Sequence, residues 1–288
     1  MDWSERRERF RALMASNRCV HTGSVYDAIS ARIAEELGFE VGIFSGSVGS
    51  MAVLGAPDLV VLTLTEFAAQ ANRVCRAGNL CLLVDADHGY GNALNVRRTV
   101  EELETAGVCA MSIEDTVLPR AYGPSGKPTL IPVEEGIGKM KAALSARQDK
   151  KLCIAGRTSA LAITGLDDAM KRAKAYQAVG VDAIFLAGGV TTEAIEAISS
   201  EIKIPLITGG GAGPLADLDW MAAHKVRVAL QGHAPFSAAV QAVHQTLKAL
   251  RDGVPPSELK NIASPDLMRQ VTRADDYQRW TKDYLGGA

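Results

Sequence analysis

Short apolar runs alternate with longer amphipathic ones along most of the chain. Runs at 19–25, 41–47, 80–87, 108–114, 152–158, 183–187, 205–208 and 226–231 predict strands. Between them, apolar positions recur at helical spacing over 27–37, 64–77, 93–106, 133–145, 166–179, 192–199, 215–224 and 235–250, with an opening helix at 3–15. Eight strand-helix units in strict alternation predict a parallel sheet of the α/β class, and 288 residues suit a closed (β/α)8 TIM barrel. An open doubly wound sheet would carry fewer units and a GxGxxG after its first strand, where Thr22-Gly23-Ser24 stands instead. The reading is one domain over 1–288, with a barrel at roughly 19–250, a small-residue loop at 46–58 and a C-terminal helical extension at 255–288. That extension places Leu267, Val271, Tyr277, Trp280 and Tyr284 at helical spacing, and so apolar a face must be buried against its own barrel or a neighbour.

In such a barrel the functional loops lie at the carboxyl ends of the strands, so each strand end can be read for chemistry. The third strand ends in Asp85-Ala86-Asp87-His88-Gly89-Tyr90-Gly91-Asn92. Strand alternation would put Asp85 and Asp87 on one face, where two like charges repel unless one holds a proton or a cation sits between them. The fourth strand repeats the gesture with Glu114-Asp115. Acids of this kind also cap helices or pair with Arg and Lys, but two clusters on successive strand ends favour a hard cation bound by oxygen. Ser45-Gly46-Ser47 after the second strand offers hydroxyl and N–H donors to an anion, or is an ordinary tight turn. Arg157 closes the fifth strand and suits bidentate capture of a carboxylate, the alternative being a structural neutraliser of Glu114 or Asp87. His233 follows the eighth strand as a candidate site imidazole or a satisfied polar group; His21 and His88 also fall near the mouth, while His224 and His244 lie on outer helices. Gly209 to Gly213 reads as a bare turn more than as a phosphate cradle. No strand end carries a Lys, so an imine mechanism has no nucleophile.

Composition narrows the classes. An apolar fraction of 47% with 22% charge describes a soluble globular protein. A net charge of -2 and a pI near 6.2 leave no basic footprint for nucleic acid or an anionic membrane. Five cysteines without CxxC spacing read as free thiols of a reducing cytoplasm. The charged N-terminus has no apolar signal core, and no apolar run approaches the roughly 20 residues that span a membrane.

The Asp85-to-Asn92 segment resembles the D-x-D-x-G-Y-G stretch of the isocitrate lyase and phosphoenolpyruvate mutase superfamily. Ser30 to Glu40, Ser45-Gly46-Ser47, Pro57-Asp58, Ser112 to Asp115 and Gly156-Arg157-Thr158 follow that family's succession in order, over roughly 19–250. The resemblance implies a Mg²⁺ site, with Mn²⁺ as a possible substitute, built from Asp85, Asp87 and Glu114, some through water, with Asp58 on the same shell. It implies a small α-keto or α-hydroxy acid substrate whose oxygens chelate the metal. The stretch Leu118 to Lys127 has neither the Cys and His of the isocitrate-cleaving lyases nor the Lys and Asn expected of the mutases. The chain is most similar to the oxaloacetate decarboxylase branch, with His88 after the acids and Gly232-His233-Ala234 after strand eight. One departure is Gly211-Ala212-Gly213 in place of that branch's Tyr-Gly-Asn turn. On this resemblance the metal stabilises an enolate as CO₂ leaves an α-keto dicarboxylic acid. Arg157 orients a carboxylate, Ser47 donates to the C1 side with Ser45 and Gly46 beside it, and His233 contacts substrate or relays the proton. The rivals are C–C lysis of a 2-alkylmalate or methylisocitrate-like acid, and a barrel that binds a metabolite without turnover. The family also implies exchange of the C-terminal helices between subunits and a homotetramer built as a dimer of dimers.

Overall fold

The computed structural model describes residues 2–120, 122 and 126–286. The chain divides into two compact units, 1–232 and 233–288. The boundary falls just after the eighth strand, and the helix that follows lies in the second unit.

In the first unit, helix α1 (Ser4–Met14) precedes β1 (Val20–Ser24), α2 (Ala28–Glu36), β2 (Val41–Phe44) and α3 (Gly46–Gly49). Then come α4 (Leu64–Ala77), β3 (Cys81–Asp85), α5 (Ala93–Ala106), β4 (Ala110–Glu114), α6 (Val133–Ala146) and β5 (Cys153–Thr158). The order continues with α7 (Ala160–Ile163), α8 (Leu166–Val179), β6 (Ala183–Leu186), α9 (Thr192–Glu201), β7 (Leu206–Gly209), α10 (Leu218–Ala223) and β8 (Val226–Leu230). Every neighbouring pair is parallel, and β1 pairs with both β2 and β8, which closes the barrel. The (β/α)8 expectation is therefore met.

Strand alternation sorts the apolar residues into two layers. Leu82, Val84, Met111, Ile113 and Ile154 face outward into the shell of helices, while Ile43, Leu83, Ala155, Phe185 and Val228 fill the barrel. Helix α1 completes the inner layer with Phe10, Leu13 and Met14. Its arginines explain how so charged a helix can plug a barrel end: Arg6 Nη1 donates to the Cys75 carbonyl (2.6 Å), and Arg7 donates to the carbonyls of Val108 (3.0 Å) and Glu104 (2.6 Å). Arg11 Nε reaches the Lys151 carbonyl (2.9 Å). Each cation thus satisfies carbonyls at the ends of outer helices or just before the strands.

The predicted loop at 46–58 is largely helical. Residues Gly46–Gly49 form α3 and run into a π-helical turn, Ser50–Leu54. Ser45 Oγ caps it by accepting from Val48 N (3.3 Å), and Gly55, at φ 64°, ends it in the left-handed region. A Cβ at Gly49 would stand 3.1 Å from Leu62 and 3.2 Å from the rings of Phe44 and Phe67, so the small residues that suggest a loop are what lets a helix lie against the barrel.

The second unit holds α11 (Ala234–Arg251), a 3₁₀ turn at Pro256–Glu258, α12 (Pro265–Thr272) and α13 (Ala274–Leu285). Ser264 caps α12 by accepting from Leu267 N (3.1 Å), and the Tyr277 and Trp280 rings of α13 meet edge-on at 5.1 Å. No residue of α11 is buried, and Val240, Val243, Leu247 and Leu250 are exposed along it. Among the described residues no helix is long and apolar enough to cross a membrane.

Truncating the plug tests its role in the fold. Phe10→Ala should lower the unfolding free energy by about 3–5 kcal/mol, the range for emptying a buried phenylalanine site. Urea denaturation reads this, and a loss below about 1 kcal/mol would show that the barrel end does not depend on α1.

Candidate active site

The same alternation that fills the barrel aims the chemistry. Cys81 and Leu83 point inward on β3, so Asp85 does too; Ala110 does so for Glu114 on β4, and Cys153 and Ala155 for Arg157 on β5. The strand register sets Glu114 opposite Arg157 and Asp85 opposite Ser112. Arg157 Nη1 is hydrogen-bonded to Asp85 Oδ2, and its Nη2 lies 3.6 Å from Glu114 Oε2. Phe185 on β6 supports the guanidinium, whose carbon lies 5.3 Å from the ring centroid. Thr116 Oγ1 donates to Glu114 Oε2 at 2.7 Å.

Asp87 reaches this group by a different route from the predicted one. Strand β3 ends at Asp85, and Asp87 sits in the turn beyond it with φ 47°, so strand alternation does not relate the two acids. The turn folds back instead: Asp87 N donates to Asp85 Oδ1 (3.2 Å), and the Asp87 carbonyl accepts from Glu114 N (2.8 Å). Lys139 Nζ, buried on α6, donates to the His88 carbonyl (2.8 Å), and Thr99 Oγ1 to that of Gly89 (3.0 Å). The Asp87 carboxylate lies against Gly46, where a Cβ would stand 2.5 Å from Oδ1. Gly46 therefore makes room for an acid, beyond any use of its N–H.

The electrostatics follow from burial. Desolvation pushes the Asp87 carboxyl well above the usual carboxylate range, and Asp85, Glu114 and Asp58 push it further, with Arg157 as a partial offset. Glu114 is also raised: burial outweighs the nearby Arg157, and Asp85 adds to it. Burial would lower the Arg157 guanidinium, but Asp85 and Glu114 hold it above its ordinary value. His88 is driven down to about 4 by burial and by Lys139, so it is a neutral imidazole at pH 7.

Asp85, Asp87, Glu114, Arg157 and Gly46 are thus brought together. Ser45 Oγ and Ser47 Oγ are hydrogen-bonded to each other at 2.8 Å at the end of β2. Asp58, on the exposed stretch before α4, is within electrostatic range of Asp87. His233 opens the second unit, so its assignment rests on the sequence alone. His21 and His224 are engaged by backbone carbonyls, those of Ala229 (3.1 Å) and Trp220 (2.8 Å). The glycine run after β7 spends N–H groups internally, Gly210 N on the Leu230 carbonyl (2.7 Å) and Gly211 N on that of Leu215 (3.3 Å), as a bare turn does. In the stretch Leu118 to Lys127, residues 121 and 123–125 lie outside the described residues.

Among the described residues no three His, Cys, Asp or Glu side chains stand grouped as a ready-made metal cage, and Arg157 lies on Asp85 and Glu114. The donor set nevertheless fits a hard cation: three acids stand at the barrel mouth, all carboxylate oxygen, and Asp85 and Glu114 pair with Arg157. Among the described residues Arg157 Nε has no hydrogen-bond partner and is buried, so the guanidinium retains a donor not used by them. Sequence reasoning missed Thr116, Lys139 and Phe185. Thr116 follows Glu114 by two residues and could have been read as its neighbour, but nothing in the sequence links a lysine in α6 to the turn after β3.

The chain matches the family model described as phosphoenolpyruvate phosphomutase over residues 10–251. It belongs to that family. Among curated relatives, the oxaloacetate decarboxylase of Bradyrhizobium diazoefficiens is 55% identical over 286 residues, which are 99% of each protein. Among solved structures, phosphonopyruvate hydrolase in complex with oxalate and Mg²⁺ superposes with a TM-score of 0.86 at 28% identity, covering 97% of this chain and 99% of that one. Oxaloacetate acetylhydrolase with the inhibitor 3,3-difluorooxalacetate gives 0.86 at 26%, covering 99% and 98%. The superfamily and the branch inferred from the sequence are both borne out by these phosphomutase-family relatives.

The raised acids make a pH prediction. A folded-state value above the unfolded one means the native state holds the proton more tightly. The resulting stability is fully present below the unfolded carboxylate range and is lost as pH rises through the raised value. In chelator, Tm should therefore fall through these groups as pH rises above the ordinary carboxylate range. Asp87→Asn cannot ionise; it should flatten that fall and melt higher than the parent at neutral pH. An unchanged slope in calorimetry would remove Asp87 from the strained cluster.

Proposed function

We propose that this enzyme decarboxylates oxaloacetate to pyruvate and CO₂ with a bound divalent cation, Mg²⁺ or Mn²⁺. The observation that carries the reading is the gathering of Asp85, Asp87 and Glu114 at the barrel mouth beside Arg157, which pairs with Asp85 and Glu114. The curated relative, matched over nearly its whole length, supplies the substrate.

Asp85, Asp87 and Glu114 would hold the cation, some through water, with Asp58 farther out. When bound, the cation supplies Lewis acidity, which stabilises the negative charge that develops as CO₂ departs. The chain's own groups do the positioning. Arg157, resting on Phe185 and with Nε unused, turns its planar fork to a substrate carboxylate. Ser45 and Ser47 offer hydroxyl donors to the other carboxylate. His233 belongs to the proposal on the sequence argument alone, as a contact to substrate or the group that moves the proton to C3. The cytoplasmic location read from the five free thiols belongs to the same proposal.

A panel of oxaloacetate, 2-methylisocitrate, dimethylmalate and phosphonopyruvate, assayed with Mg²⁺, tests it. Equal yields of pyruvate and CO₂ from oxaloacetate are expected. Turnover confined to another member would reassign the substrate, and thermal stabilisation without product would make this a binding protein. Arg157→Lys keeps the charge but loses the fork, and should lower kcat/KM for oxaloacetate about 10- to 100-fold. Parent-like kinetics would leave Arg157 a structural ion pair.

Assembly is part of the same reading. The exposed apolar side chains of α11, together with Leu267, Met268, Tyr277 and Tyr284, form faces that need cover. We place them in a dimer of dimers that exchanges these helices. Deleting residues after Gly253 should give monomer or aggregate in sedimentation velocity, and an intact, active oligomer would refute the exchange.

A further inference from the structure

Behind the acid cluster, on the outer side of β4 and β5, lies a second polar group that the proposed chemistry does not use. Asp115 follows Glu114 but points the other way, and it is fully buried. Its Oδ2 accepts from the Tyr176 hydroxyl (2.7 Å) and from Arg172 Nη1 (3.0 Å), while its Oδ1 has no partner among the described residues. Arg172 Nη1 also donates to the Ile131 carbonyl (3.0 Å), and Ile131 N donates to the Asp115 carbonyl (2.9 Å). Farther along α8, Arg172 Nε is held by Asp168 Oδ2 (2.8 Å), which Thr164 Oγ1 also meets (2.7 Å).

Tyr176, likewise fully buried, touches both site strands. Its hydroxyl binds the residue after Glu114, and its ring lies against the residue before Arg157, because a Cβ at Gly156 would stand 3.0 Å from ring carbon Cδ2. One rigid side chain therefore spans the ends of β4 and β5 from behind. In front, the same two strand ends carry the Glu114–Arg157 pair at 3.6 Å. On the α6 side the hydroxyl has no slack, since a Cβ at Gly136 would collide with it.

We propose that Tyr176, with Asp115 and Arg172, is a positioning residue that sets the separation of Glu114 and Arg157 and so the geometry the acids offer to a cation. It acts through the strand ends and touches neither substrate nor cation. Hydrogen-bonding partners behind a ligating carboxylate commonly alter metal affinity by about 10- to 100-fold, and this clamp stands one residue behind Glu114. The cation readout rests on the metal reading above; the separation does not.

Two variants of the full chain test it. Tyr176→Phe keeps the ring on Gly156 and removes the hydroxyl; Gly136→Ala keeps the tyrosine and displaces the hydroxyl. Mn²⁺ binding followed by electron paramagnetic resonance should weaken about 10-fold in either variant. Crystal structures of the metal-free variants should show Glu114 and Arg157 moved out of ion-pair reach. Parent-like Mn²⁺ affinity with an unchanged separation overturns the clamp, even if Tm falls, because a purely structural role would lower Tm alone. If the parent itself binds no Mn²⁺, the metal reading fails and the separation alone decides the clamp. Should one variant not fold, the other carries the test.

Discussion

Three carboxylates crowd a barrel mouth where one guanidinium pairs with two of them, and much else in the first unit serves that arrangement. Burial alone disfavours charge on Asp87 and Glu114, and their mutual repulsion adds to it. Such a cluster persists because the surrounding fold supplies what water would have supplied. Arg157 answers Asp85 and Glu114, Thr116 answers Glu114, and the backbone N–H of Asp87 answers Asp85. The shortfall falls on Asp87, where burial and the neighbouring acids outweigh Arg157.

The rest of the barrel holds these groups still. Inner-layer packing under the site fixes where β3, β4 and β5 end, and α1 closes the far end with Phe10. The turn after β3 is held by Lys139 and Thr99, so Asp87 is placed by contacts from α6 and α5 and not by its own strand. Tyr176 ties β4 to β5 from the outside. Each of these is a contact between helix and strand end, which explains how a fold of eight similar units can have one chemically special edge.

The phosphomutase family accounts for the architecture, and curated relatives of this chain are oxaloacetate decarboxylases. The chain's individuality lies in what surrounds the acids. The loop after β4 lacks the acid/base groups its resemblance to other branches would require, and the turn after β7 is bare. The metal edge and the carboxylate anchor proposed above would suit a reaction in which the departing group is CO₂ and an enolate must be stabilised.

The sequence by itself determined the alternation of eight strands and eight helices, since the period of an apolar pattern reports directly which face is buried. It determined that Asp85, Glu114 and Arg157 stand at strand ends, because position along a strand is a local property. It left undecided whether Arg157 captures substrate or neutralises acids, and the tertiary structure shows it on Asp85 and Glu114. It also misplaced the reason Asp87 joins the site, since a left-handed φ at one residue is not written in the apolar pattern. The helical nature of 46–54 was hidden because glycine and serine read as loop until Phe44 and Phe67 pack against them. Lys139, Phe185 and Tyr176 lie tens of residues from what they hold. Only closure of the barrel brings them into reach, because contacts between distant segments depend on register and packing that no local pattern encodes.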